Sequence, residues 1–362
     1  MDLFRGIDLK KYFKIEKIQH DNWLFKLHHQ VNFVVLLFGV VFTFGNNYLN
    51  GNAIVCLGSD DYAKQYCWLH GSGHLTTDIA EDISGLCGME TDKDRETSYY
   101  LWLPFVLGLC MGLVKVPRVL WKTLCERGTM AGLVGDENDG GEVIRNTGEK
   151  IAERFKKLRR RNMIVKYHIR FACCEILNIF MLMMCFFIMN SLLNGKFFSY
   201  GKDVTTYYQD LKTPNPMCNV FPTEVACNYC TGSIGGGCND KHSHLCILSN
   251  NLFNQYFFLI LWFCWVSLLT ISALGLVYRA AQMSIVSFSK IVLKGYLNTF
   301  GFDDAVDDLT LGSSDLFLLG KLAMNVKGST MQDVLRELRD SATRTTTSKE
   351  ERMSLVEIVQ DE

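Results

Sequence analysis

"YFFLILWFCWVSLLTISALGLVY", from Tyr256 to Tyr278, runs without a single Asp, Glu, Lys or Arg. A helix at the surface of a soluble domain keeps a polar stripe for water, and no stripe wide enough runs along this stretch. A bilayer core about 30 Å thick needs roughly 20 helical residues, so the reading is a membrane span over 254–278. Three other windows behave alike. Charge is absent between Lys26 and Asp60 and between Glu96 and Lys115, and Glu175 alone interrupts the run from Phe171 to Gly195. These windows place further spans at 27–49, 99–120 and 171–193. The whole-chain figures, 362 residues, 48% apolar and a net charge of -1, would by themselves fit two soluble domains; the distribution of charge decides against that. The first apolar run lacks a small-residue cleavage site and is followed by more spans, so it reads as a retained span and not as a signal peptide.

Basic residues set the orientation. The segment 1–26 carries Arg5, Lys10, Lys11, Lys14, Lys17 and Lys26, and "ERFKKLRRRNMIVKYHIR" stands immediately before the third span. Both are expected in the cytosol. Between the first two spans, Lys64, Lys93 and Arg95 face nine acids, Asp60, Asp61 and Asp78 among them, so 50–98 faces outward and so does 194–253. The cytoplasmic parts are then 121–170, a helical domain at 279–341 and a mobile tail at 342–362.

Eight of the fourteen cysteines fall in the outward loops: Cys56, Cys67 and Cys87 in the first, Cys218, Cys227, Cys230, Cys238 and Cys246 in the second. Thiols pair in the oxidising compartment where such loops mature. Each loop holds an odd number, so if all eight pair within one chain at least one disulfide joins the two loops. The stretch "CNYCTGSIGGGCNDKHSHLC" has the spacing of a metal site, with Cys227, Cys230, Cys238 and Cys246 beside His242 and His244. In the cytosol these would make a tetrahedral zinc set; outside the cell they read as oxidised, and no metal is expected. The Gly-rich run between Cys230 and Cys238 would suit a small local disulfide loop.

Several motifs combine with the four-span plan: "YYLWLP" at Tyr99 to Pro104, "YCWLHG" at Tyr66 to Gly71, and "FPTEVACNY" and "HLCILSNNL" around the second loop. Together they closely resemble the innexins, the invertebrate gap-junction proteins, from the N-terminal segment through the fourth span and more weakly beyond it. The signature positions are Tyr99, Tyr100, Trp102 and Pro104. Leu101 and Leu103 depart from the family's usual Gln and Val, and the four cysteines beyond its usual two per loop (Cys87, Cys218, Cys230, Cys238) mark a divergent member. The resemblance implies pairing of Cys56 with Cys246 and of Cys67 with Cys227. It implies an all-α four-span membrane bundle with a small disulfide-stapled α/β extracellular domain, a helical cytoplasmic domain and both termini cytosolic. It also implies a homo-octamer, or a hetero-oligomer with other innexins, in the plasma membrane at gap junctions.

The N-terminal segment recurs in apolar residues at loosely helical spacing. That pattern fits an amphipathic helix on the inner membrane surface, held by anionic lipid, as well as a segment folded into the pore. The resemblance favours the pore, with Asp2, Arg5 and Asp8 at its charged constriction. Pro104, inside the second span, removes a helical hydrogen bond and is expected to bend the rod near its outer end. Glu175 is the one acid in the four windows, and its place one turn from Arg170 suggests a paired or snorkelling residue at the cytosolic interface. The stretch "EVIRNTGEKIAERFKKLRRR", charged on nearly all sides, reads as a solvated helix or one that packs on a partner subunit near acidic phosphates.

Enzyme patterns fail on inspection. "HGSGH" at His70 to His74 lacks the glycine spacing of a nucleophile elbow, and "GSIGGGC" lacks the Lys and Ser/Thr of a phosphate loop. No catalysis, cofactor or nucleic-acid partner is expected. The leading function is a channel subunit whose ring docks with one on the adjacent cell and passes ions and small metabolites. The absence of an N-x-S/T sequence in the outward loops favours a close, glycan-free face. The alternatives are an undocked hemichannel releasing ions or ATP, and a non-conducting four-span adhesion or scaffold protein.

Overall fold

The computed structural model describes residues 19, 21–49, 54–59, 61–70, 99–126, 128–137, 143–145, 147–209, 215–231, 240–298, 300–301, 306–307 and 310–341. Four helical tracts are long and apolar enough to cross a membrane: α1 Trp23–Leu49, α3 Tyr99–Glu126, α6 Met163–Leu192 and α9 Asn250–Ser284. Between them lie β1 Val55–Cys56, α2 Asp61–His70, α4 Thr129–Val134, β2 Gly135–Glu137, β3 Val143–Arg145, α5 Gly148–Arg160, α7 Tyr200–Gln209, α8 Pro216–Val220, β4 Glu224–Thr231 and β5 Asp240–Ile247. Helices α10 Val286–Asn298 and α11 Ser313–Ala323 follow, and a last helix, α12, covers 328–341. The fold is thus a mostly helical four-span membrane protein with a small disulfide-bonded sheet.

Contacts divide the chain into two compact units. The first, the sheet unit, comprises Lys26–Pro117 and Leu177–Ala273. Its core is aromatic. Phe197, Phe221, Phe258 and Trp265 are completely buried, and their rings meet edge-on or stacked at 5.1–6.2 Å. Bulky rings need small residues opposite them. A Cβ on Gly39 would overlap the Phe257 ring, and one on Gly201 would overlap Trp262. These glycines are fixed by close approach, not by backbone conformation. Polar side chains inside the bundle find partners across helices: His28 Nε2 lies 2.7 Å from Ser272 Oγ, and Trp265 Nε1 donates to Asn32 Oδ1 at 3.0 Å.

The sheet has the order β1-β5-β4, antiparallel throughout. Alternation along β4 is clean: Val225, Cys227 and Tyr229 are buried while Asn228 and Cys230 are exposed. Period-two side chains put the first three on one face, and α2 packs on that face.

The second, the helical unit, comprises Met1–Phe25, Arg118–Ile176 and Leu274–Glu362. Its centre is α11, in which Leu316, Phe317, Leu318, Leu319 and Leu322 are all buried. The stretch from Asp315 to Ser341 is not one continuous helix. It breaks after Ala323 into a helix surrounded on all sides and a second, two-faced one. In α5 the many charges flank a narrow stripe, Ile151, Ala152 and Phe155, that is buried; three apolar residues on one face outweigh a solvated surround. The unit also contains a β2-β3 hairpin that helical periodicity did not announce.

Candidate functional site

Two disulfides between described residues staple the sheet. Cys56 and Cys246 face each other in the β1-β5 register and are bonded. Cys67, on α2, is bonded to Cys227 on β4. The bridges span 190 and 160 residues of sequence and lie side by side, with the sulfurs of Cys56, Cys67 and Cys246 within 4.8 Å of one another. Around them Tyr229 packs against Tyr62 and Tyr66 of α2, at ring separations of 6.3 and 5.9 Å, and against His242 and His244 of β5. Burial holds the Glu224 carboxyl, at the start of β4, above its ordinary pKa.

The zinc-like spacing is used otherwise. Cys227, Cys230 and Cys246 are disulfide-bonded, so their sulfurs offer no thiolate to a metal. The His244 ring nitrogens face the Leu57 carbonyl at 2.9 Å and the Tyr229 hydroxyl at 3.3 Å, which fixes the imidazole as a brace between strands. Cys218 is also disulfide-bonded. Cys87 and Cys238 lie outside the described residues, as do Asp2, Arg5 and Asp8.

The signature residues sit where the sheet joins the bundle. The Tyr100 hydroxyl reaches the carbonyls of Cys67 and Trp68, both at 3.3 Å, and its ring stacks on Trp68 at 4.5 Å. Tyr100 thereby ties the start of α3 to the end of α2, next to the Cys67 staple. Tyr99 is buried edge-on against Phe221 at 5.7 Å, whereas Trp102 is exposed. Pro104 lies inside an uninterrupted helix, Tyr99–Leu113. Having no N–H, it leaves the Tyr100 carbonyl without its helical donor. Asn47 supplies the replacement, its Nδ2 donating to that carbonyl at 2.8 Å. The next carbonyl, Leu101, accepts from the Tyr48 hydroxyl at 2.7 Å. Both donors stand in a π-helical turn, Gly45–Leu49, the wide turn that often marks a functional position. Asn250 Nδ2 in turn donates to Asn47 Oδ1 at 3.1 Å, so α1, α3 and α9 are joined at one proline.

From the same end of α9, Asn251 and Gln255 donate to the carbonyls of Pro222 and Phe221 at 2.5 and 2.8 Å, and the Tyr200 hydroxyl donates to the Gln255 carbonyl at 2.9 Å. This amide set holds the chain entering β4 onto the bundle. In the sequence the signal for this set is a run of amides, Asn250, Asn251, Asn254 and Gln255, at the start of an apolar span. Asn47→Leu is expected to cost about 1–3 kcal/mol by stranding the Tyr100 carbonyl. In a Pro104→Ala background, where residue 104 again has an N–H, the cost shrinks. A thermal-denaturation double-mutant cycle reads the difference, and strict additivity would show that Asn47 does not serve the proline.

In the helical unit, Glu175 pairs with Arg279 of α9 and not with nearby Arg170. Arg279 Nε and Nη2 meet the two carboxylate oxygens at 2.9 Å each, and Nη1 donates to Gln282 Oε1 at 2.5 Å. Asn22 Nδ2 adds a bond to Glu175 Oε1 at 3.1 Å. The guanidinium lies 4.9 and 4.8 Å from the ring centres of Phe171 and Phe317. Both charges are almost wholly buried. A forked, fully hydrogen-bonded pair is the arrangement in which buried charge is tolerated. Beside it, Asp21 pairs with Arg118 at 2.8 Å. The residues leading into α1 are thus anchored to α3 and α6.

Comparison with known proteins agrees with this architecture. The innexin family model matches residues 21–342. Innexin inx2 of Drosophila melanogaster is 26% identical over 361 residues, covering 93% of this chain and 95% of the relative. Innexin shaking-B of the same fly is 27% identical, with 93% and 94% covered. Innexin inx2 of Schistocerca americana is 28% identical over 308 residues, covering 77% and 80%. A match across nearly the whole chain, joined to four apolar helices and a disulfide-bonded sheet, leads to one conclusion: this chain belongs to the innexin family of gap-junction channel proteins, multi-pass proteins of the plasma membrane.

Proposed function

We propose that this chain is a subunit of an intercellular channel, in which a ring of subunits docks with a ring on the adjacent cell and passes ions and small metabolites. The observation that carries the docking is the sheet itself: two adjacent disulfides join β1, β4, β5 and α2 into one rigid body, and a preorganised face loses little entropy when it meets a partner. In this reading the loops 50–98 and 194–253 lie outside the cell, and 121–170, 279–341 and both termini inside. Eight subunits surround the pore, with or without other innexins, and the N-terminal segment with Asp2, Arg5 and Asp8 lines its inner mouth.

Expression in paired cells, with junctional and single-cell currents recorded together, tests the proposal. Junctional conductance is the expected result. Current in single cells alone would reduce the protein to a hemichannel, and current in neither arrangement would leave a non-conducting adhesion protein.

A further inference from the structure

A cavity of about 380 Å³ opens where α5 turns into α6, a size within the range of small-ligand sites. Its apolar lining is Leu133, Leu158 and Met163, and its polar lining includes Arg154, Lys157 and Arg161. All three cations are exposed. Arg154 Nη1 donates to the Gly132 carbonyl, which holds its guanidinium at the rim. Among the described residues, no acidic side chain pairs with Lys157 or Arg161. The corner itself is tight, with Asn162 at a φ of 54°, so that Arg161 is set immediately before the first turn of a membrane-length helix. Seven basic residues and no acid lie between Arg154 and Lys166. Directly past the cavity, α6 exposes Val165, Ile169 and Ile176, which share one side of the helix.

We propose that this cavity binds the headgroup of an anionic phospholipid with clustered phosphates, of the phosphoinositide class, with its acyl chains along the exposed side of α6. Lys157 and Arg161 supply charge that no acidic side chain among the described residues pairs, the apolar floor supplies a surface that a free anion does not need, and the site sits at the level where a headgroup meets a span. Four to eight basic residues at the cytoplasmic end of a span form a recognised electrostatic lipid site. The proposed topology enters only in assigning the lipid to the inner leaflet.

The test uses purified full-length protein in detergent, titrated with short-chain phosphatidylinositol bisphosphate and, separately, with inositol trisphosphate. Lys157→Gln/Arg161→Gln is expected to weaken lipid binding about thirtyfold. An equal loss of charge at exposed sites elsewhere in the unit, Lys327→Gln/Arg336→Gln, is expected to change it less than about twofold. The soluble headgroup is expected to bind at least about tenfold more weakly than the lipid, for want of the apolar contact. A photoactivatable inositol lipid on the unmodified protein is expected to label the peptide around 157–163. Equal weakening by both variants, headgroup binding as tight as lipid binding, or labelling confined to other segments would each overturn the site. Binding is read without any channel current, so its failure and that of the proposed function are separable.

Discussion

Arg279→Leu is expected to destabilise the helical unit by about 3–5 kcal/mol, because it strands the Glu175 carboxylate in a buried position. Both oxygens of that carboxylate accept from the guanidinium, and Asn22 alone cannot replace two charged donors. The two aromatic faces that now meet the guanidinium would be left without the cation they attract. Glu175→Leu should be comparably damaging in the opposite sense, leaving a buried cation between Phe171 and Phe317. The double variant Glu175→Leu/Arg279→Met should recover much of the loss, since an apolar pair of similar volume avoids the desolvation that the ion pair suffers. Thermal unfolding of the purified singles and double gives the coupling directly. Additive losses would mean that the pair contributes nothing jointly, against the geometry.

Cys67→Ser is expected to loosen the sheet unit while leaving the Cys56–Cys246 bridge in place. The two disulfides are nested, so with Cys56–Cys246 intact the Cys67–Cys227 bond closes a circuit of only about 30 residues, worth roughly 3–4 kcal/mol by loop entropy. The reciprocal change, Cys56→Ser, meets the same circuit and should cost a similar amount, despite a sequence separation of 190 against 160. Hydrogen exchange followed by mass spectrometry is the appropriate measurement, since protection reports local opening. Amides of β4 and β5 should exchange about two orders of magnitude faster in either variant, those of α11 at an unchanged rate. Unchanged protection in the strands would show that packing around Tyr229, and not the bridge, holds the sheet. If docking works as proposed, both variants also lose junctional conductance.

Much of this was legible in the residues because the membrane imposes a coarse, one-dimensional rule. A helix in lipid must satisfy its backbone internally and present apolar side chains for about 20 residues, and four windows do so. The odd cysteine count in each outward loop likewise required at least one bridge between loops if all eight paired, an argument that involves no geometry. The resemblance carried by "YYLWLP" and its companion motifs named the family. That Glu175 is paired was legible in its place inside an apolar run, but its partner was not, because spacing along one helix shows only neighbours on that helix. Arg279, 104 residues away, is brought close only by packing α6 against α9.

What the sequence by itself determined is therefore the set of spans and the family, properties summed over long stretches in which no single contact decides the outcome. Tertiary structure alone decided which polar groups meet: Asn47 at the carbonyl freed by Pro104, Tyr100 at the end of α2, His244 as a brace instead of a ligand, Arg279 on Glu175. The physical reason is range. Hydrophobic transfer is additive and non-directional, so composition predicts it, whereas a hydrogen bond or buried ion pair exists only within about 3 Å and at the right angle, and such distances are set by the packing of elements far apart in the chain.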